Sequence, residues 1–265
     1  MTNSLSVYWR FWRQAASNSL QETFVNRATN VLFFLGKCVR LLFSLLFILA
    51  IKQNLHFFGA YTTNQLLLFF LTYQIISVVT QAVFRGVYSF AYSIRRGEFD
   101  FTLLKPINPL FQAMMGLPDA NDVIFLFPLF AAMVFLIHQS QLSFDLINVI
   151  FYTFLLLNGL LIAAALHVVI LAFGILTMEV DGLTWLYRDF LTLGQLPIDA
   201  YRQPIRALLN FVIPIGIMIT VPTRVLLGLS SPMVLITATV IGTTTFLISL
   251  KLWNIALKKY SSASS

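Results

Sequence analysis

The chain has 265 residues, 58% of them hydrophobic and only 10% charged, far from the balance of a soluble domain. Its mean hydropathy is +0.84 and its 26 Phe fall in long apolar runs, which excludes a water-soluble enzyme, a disordered chain and a disulfide scaffold. The 17 Lys and Arg outnumber the 10 Asp and Glu, but they flank apolar runs instead of forming a nucleic-acid patch, so the expected partner is the lipid bilayer and no nucleic acid.

In chain order, Leu5, Trp9, Trp12, Ala16, Leu20 and Phe24 recur at steps of three and four, with Arg10, Arg13, Gln14, Gln21 and Glu22 between them. This spacing predicts an amphipathic helix within residues 1–30, suited to the headgroup layer. The apolar run begins only near residue 31 and no small-residue cleavage site follows it, so a cleaved signal peptide is not expected. Crossing the hydrocarbon core takes about 20 apolar residues. Five segments qualify: 31–51, 66–84, 122–137 (short, with Pro128 inside), 146–178 and 233–253. The fourth, at about 1.5 Å per residue, is longer than the bilayer is thick and should tilt or project into the cytosol. A further stretch, 207–227, is interrupted by Pro214 and Pro222, which break helices.

Basic residues set the orientation. Arg10, Arg13, Arg27, Lys37 and Arg40 precede or open the first span; Arg85, Arg95, Arg96 and Lys105 lie between the second and third; Lys251, Lys258 and Lys259 close the last. Only Lys52 and Arg224 fall opposite, while Arg188, Arg202 and Arg206 are unassigned. The N-terminus, the loop 85–120 and the C-terminus should therefore be cytoplasmic, in a cell membrane crossed an even number of times. One more crossing must lie between residues 178 and 233. It is either the broken stretch 207–227 or a more polar helix over 183–200 followed by a segment that enters the bilayer and returns.

The chain carries no Gly-x-x-x-x-Gly-Lys-Ser/Thr loop and no hydrolase motif, and His56, His138 and His167 lack metal-ligand spacing. A lone cysteine, Cys38, forms no bridge. No catalytic residue, metal or cofactor is expected. Lys37 and Arg40 are close enough to the end of the first span to snorkel. His167, deep in the fourth span, reads first as a neutral imidazole hydrogen-bonded to a neighbouring helix and second as a substrate or proton contact. Gly159 and Ala163, like Gly174 and Met178, offer small surfaces for close helix approach. The threonines of the last span (Thr237, Thr239, Thr243, Thr244, Thr245) would either line a polar path, with Thr239 and Thr243 foremost, or bond back to their own helix.

The most informative segment is the loop containing Arg95, Arg96, Gly97, Glu98, Phe99, Asp100, Phe101, Leu103, Leu104, Lys105 and Pro106. A mere connector needs two to eight residues; this one is far longer and mixes aromatic, aliphatic and charged groups. That composition predicts a short helix offered to a soluble partner, ended by Pro106 and Pro109. The alternative is a helix resting on lipid.

Together with the run 196–206 (Leu-Pro-Ile-Asp-Ala-Tyr-Arg-Gln-Pro-Ile-Arg) and the prolines Pro214 and Pro222, that loop resembles the permeases of type-2 ATP-binding-cassette (ABC) exporters, in the branch of six-span subunits with a separate ATPase. The resemblance implies an all-α polytopic membrane protein with six transmembrane helices, an N-terminal amphipathic helix and a re-entrant segment before the last span. It divides the chain into an interfacial helix (1–30), a permease domain (31–255, with 85–120 as coupling loop) and a cytoplasmic tail (256–265). It implies a dimer forming an export path, contact with an ATPase subunit through residues 95–106, and a re-entrant pair over 205–227. The implied fifth span, near 185–200, departs from a lipid-facing pattern in holding Arg188 and Asp189, which could pair in a dimer interface. Two other classes stay open: a self-sufficient secondary transporter or channel, which would want carboxylates at mid-membrane, and a scaffold that transports nothing.

Overall fold

The computed structural model describes residues 4–54, 61–139 and 145–261; His56 lies outside them. The regular elements are all helical: α1 (Ser4–Val25), α2 (Arg27–Asn54), α3 (Thr63–Val83), α4 (Gly86–Arg95), α5 (Glu98–Leu103), α6 (Pro109–Met115), α7 (Ala120–Gln139), α8 (Leu146–Thr177), α9 (Asp181–Thr192), α10 (Ile205–Ala207), α11 (Val221–Leu226) and α12 (Met233–Lys258). Among the described residues five helices are long and apolar enough to cross a bilayer, α2, the 33-residue column of α3 and α4, α7, α8 and α12, and the bent pair Ile205–Val212 and Gly216–Leu226 makes a sixth if it is one span. The fold is that of an all-α polytopic membrane protein.

Local chemistry sets the helix ends. Thr62 and Gln65 cap α3 reciprocally, the side chain of each accepting from the other's backbone N–H at 3.3 and 2.8 Å. Asn108 accepts from Leu110 N at 2.8 Å ahead of Pro109 at the first turn of α6. The core sits on α3, which is buried all round: Leu66, Leu68, Phe69, Phe70, Leu71 and Tyr73 have almost no exposed surface. A helix apolar on every face belongs at the centre of the bundle. In contrast α2 leaves Phe33, Val39, Phe43 and Phe47 exposed, a lipid-facing surface.

The α8–α12 pair packs by close approach. Asn158 Nδ2 donates to Ala238 O at 3.0 Å, and a Cβ on Gly242 would collide with the Asn158 amide. Gly159 likewise admits the backbone of Met218, 2.8 Å from where its Cβ would stand. Bare backbone at these points lets polar groups bond across helices inside an apolar bundle.

α9 has 12 residues, too few to cross unaided, and the long helix expected over 183–200 is instead α9 followed by the 3-10 turns Leu193–Gln195 and Ile198–Ala200. Pro197 stops it. Even so, this segment runs the length of the α3–α4 column. At one end Arg95 donates to Met178 O at 3.2 Å; at the other, Tyr61 donates to Asp199 Oδ2 at 2.7 Å. Gln195 meets the Tyr73 hydroxyl at 3.5 Å on the way. The polar residues Arg188 and Asp189 sit on a helix that packs along this column, and α9 is not among the helices long and apolar enough to cross.

Ile205–Val212 and Gly216–Leu226 are bent from one another by 77°. Pro214 stands in the bend and Pro222 in the first turn of α11, both buried. Both arms return to a single carboxylate: Arg206 donates to Asp199 Oδ1 at 2.7 Å and Arg224 to Asp199 Oδ2 at 3.1 Å. A straight helix over that interval would hold the two arginines about 27 Å apart. The two arms therefore fold back on one another, a bend that a broken span or a re-entrant pair would both show.

Candidate functional site

Three places were singled out in the sequence: the loop 95–106, the interior of the bundle around His167 and α12, and the two prolines just described.

In the loop, Gly97 adopts φ 72, a left-handed conformation that glycine takes without a Cβ penalty, and so turns the chain from α4 into α5. Four attachments then hold α5 in place. Arg95, next to the turn, donates to Met178 O, the residue that ends α8 in a left-handed cap; a cation there also complements the C-terminal dipole of α8. Arg96 pairs with Glu98 at 3.2 Å and bonds the Tyr92 hydroxyl beneath it. Asp100 accepts from Tyr260 at 2.8 Å. Burial, and then that hydrogen bond, pushes the Tyr260 hydroxyl up to about 12, so it stays a donor at neutral pH.

The fourth attachment corrects an expectation. Phe99 is not offered to a partner: it is 1% exposed and packs edge to face on Phe90 and Tyr260, both with centroids 5.1 Å away, and on Trp253 at 6.4 Å. An aromatic ring facing three others is better satisfied inside than in water. The surface of α5 is instead carried by Phe101, 67% exposed, and by Leu104 just after it, 82% exposed, with Glu98, Leu103, Lys105 and Pro106 also exposed. Two residues apart on a helix, Phe99 and Phe101 lie on nearly opposite faces, and composition does not tell which of them points out.

α1 completes this face. Asn108 N donates to the Tyr8 hydroxyl at 3.0 Å, and Tyr8 meets Phe111 edge to face at 4.9 Å. Ala120 N donates to Ser19 Oγ at 3.2 Å. Leu5, Trp9, Leu20 and Phe24, on the other side, remain exposed. The helix thus docks by its polar-aromatic face and turns its apolar face outward, as a helix lying in the headgroup layer would.

In the interior, His167 is fully buried, with Nδ1 2.8 Å from Ala163 O of its own helix and not of a neighbouring one. Its ring lies 4.5 Å from Tyr187 and 5.4 Å from Phe84. It joins α3, α8 and α9 as a packing element. Thr239 bonds back to Leu235 O at 2.7 Å, and Thr237 and Thr245 do likewise; Thr243 is exposed. Back-bonding of Thr237, Thr239 and Thr245 to their own helix is the second of the two roles their sequence allows. Among the described residues there is no group of three or more His, Cys, Asp or Glu that could hold a metal.

Comparison with known proteins returns one family: residues 38–264 match the model described as ABC-2 family transporter protein. No curated protein and no solved structure matches the chain.

Proposed function

Because the chain belongs to the ABC-2 transporter family, and is thus a permease component of an ABC transporter, we propose that it works as a dimer, with an identical or related second permease, and that a separate ABC-type ATPase subunit drives export through it. The single observation that carries the coupling part is α5: a short helix with Phe101 and Leu104 exposed while Phe99, Asp100 and Arg95 tie it to the ends of α12 and α8. A displacement imposed at the exposed side would be carried into both helices, since packed elements shift as units. Hydrolysis belongs to the partner, as the chain has no phosphate-cradling loop of its own.

The proposed setting is the plasma membrane, with both termini and the loop 85–120 cytoplasmic. Residues 1–30 then rest at the inner headgroup layer, 31–255 form the permease domain and 256–265 a tail. On this reading Arg95, Arg96, Gly97, Glu98, Phe99, Asp100, Leu103, Leu104, Lys105 and Pro106 form the coupling region, with Phe99 as its internal anchor. The Asp199 cluster lies outside, closing the re-entrant pair. Co-purification of the full chain with an ATPase subunit, and loss of that subunit on Phe101→Ala with Leu104→Ala, tests the proposal; unchanged association would refute the coupling assignment.

A further inference from the structure

A pocket of about 250 Å³ opens between α2, the α3–α4 column and α9. Its floor is built from buried Tyr73, Ser77, Thr80 and Tyr187, while Arg40, Trp185 and Asp189 at its rim are exposed. Hydroxyls gathered around a space within an apolar bundle are costly unless something polar occupies it. The Tyr88 hydroxyl, also lining it, is buried and makes no hydrogen bond among the described residues.

The charges at the rim are unbalanced. Neither Arg40 nor Arg188 forms an ion pair among the described residues, whose five pairs involve Lys37, Arg85, Arg96, Arg206 and Arg224. Arg188 is held instead over the Trp185 ring, 5.1 Å from its centroid, which fixes the guanidinium without using up its donors. The rim carboxylate, Asp189, offsets one of the two cations and leaves the lining net positive.

We infer that this pocket binds an oxyanion, a phosphate or carboxylate, borne on a polar headgroup. Arg40 and Arg188 supply charged donor forks, and Ser77, whose Oγ accepts from Gln81, supplies a neutral donor from the floor, while the Thr80 hydroxyl already donates to Ile76 O. The volume fits a headgroup and not a whole lipid. Any acyl chain would therefore lie outside, along exposed Leu42, Phe43 and Leu186. The inference deepens the permease reading, since the occupant would be cargo; binding itself needs no ATPase, so its failure leaves the coupling proposal untouched.

The test uses the purified full chain in nanodiscs of phosphatidylcholine, reading the part of the tryptophan fluorescence that Trp185→Phe removes. Brominated phosphatidylglycerol is compared with brominated phosphatidylcholine at equal mole fraction, and soluble glycerol phosphate is titrated separately. Stronger quenching by the anionic lipid, with apparent affinity about tenfold weaker in Arg188→Gln and partly restored in Arg188→Lys, supports a lipid headgroup. A response to glycerol phosphate without lipid preference, lost in Arg188→Gln, supports a soluble oxyanion. Arg27→Gln, which removes an exposed cation elsewhere on α2, should change neither signal. If Arg188→Gln fails to fold, the exposed Arg40→Gln carries the same comparison. Equal quenching by both lipids together with no response to glycerol phosphate overturns the inference.

Discussion

Arg206 and Arg224 bind opposite oxygens of one carboxylate, that of Asp199. The chain between them therefore dips into the bundle and comes back, and Tyr61, at the start of the α3–α4 column, donates to the same carboxylate. In the proposed orientation, with both termini cytoplasmic, this cluster faces the outside. A cysteine placed at the exposed Gln203 in a Cys38→Ser background should then react with an impermeant thiol reagent on intact cells. Labelling only after permeabilisation would put residues 201–206 in the cytosol.

Asp199→Asn removes the charge that gathers two arginines and a tyrosine. With the side chains partly exposed, solvent screening trims each contribution, and about 2 kcal/mol of stability should be lost in all. Thermal unfolding in detergent should show a lowered midpoint with insertion intact; an unchanged midpoint would mean that other contacts hold the two arms of the 205–226 bend together.

The same cluster fixes a pH dependence. Burial first, then the Asp199 hydrogen bond, pushes the Tyr61 hydroxyl up to about 12. A folded-state value above the usual value of about 10 favours the neutral phenol, so its contribution is complete below pH about 10 and disappears as pH rises through about 12. Ultraviolet titration should show one late tyrosinate fewer in Tyr61→Phe than in the parent, with the late step of Tyr260 retained; an unaltered profile in that variant would contradict the assignment.

The five apolar spans were legible in the sequence because hydropathy reports lipid contact directly, and the amphipathic α1 because its Trp and Leu spacing is periodic. The packing of α9 along the α3–α4 column was not legible: Arg188 and Asp189 depress its hydropathy, and nothing local says that Tyr73, Gln81 and Tyr88 will stand beside them. Asp199 stands in the run 196–206, yet its role needs Tyr61 and Arg224, distant in sequence. Which of Phe99 and Phe101 packs inside was not legible, because the two differ only in register, which Trp253 and Tyr260, far along the chain, decide.

That register makes a sharp contrast testable. Phe99→Ala empties a site enclosed by three rings and should cost about 3–5 kcal/mol, seen as lower yield and a lower unfolding midpoint. Phe101→Ala removes an exposed ring and should leave the midpoint within about 0.5 kcal/mol of the parent. Equal effects of the two would contradict the packing of α5.

Gly242→Ala should likewise disturb more than its single methyl suggests. The added Cβ meets the Asn158 amide, so either α12 moves off α8 or the Asn158–Ala238 bond breaks. Overpacking of this kind costs about 1–3 kcal/mol, and a lowered midpoint in Gly242→Ala, relieved in Asn158→Ala with Gly242→Ala, would show the collision to be the cause; an unshifted Gly242→Ala would deny it.

The central claim is that this permease is moved by a separate ATPase gripping the outer face of α5. It is tested most directly by capturing the full chain from its native membrane in mild detergent and measuring ATP hydrolysis in the eluate, for the parent and for Phe101→Ala with Leu104→Ala. The account predicts a co-purifying ATPase with the parent, at least a tenfold loss of it in the folded double variant, and no hydrolysis by the chain once separated. Hydrolysis by the pure chain, or a double variant that retains the ATPase as the parent does, would contradict it.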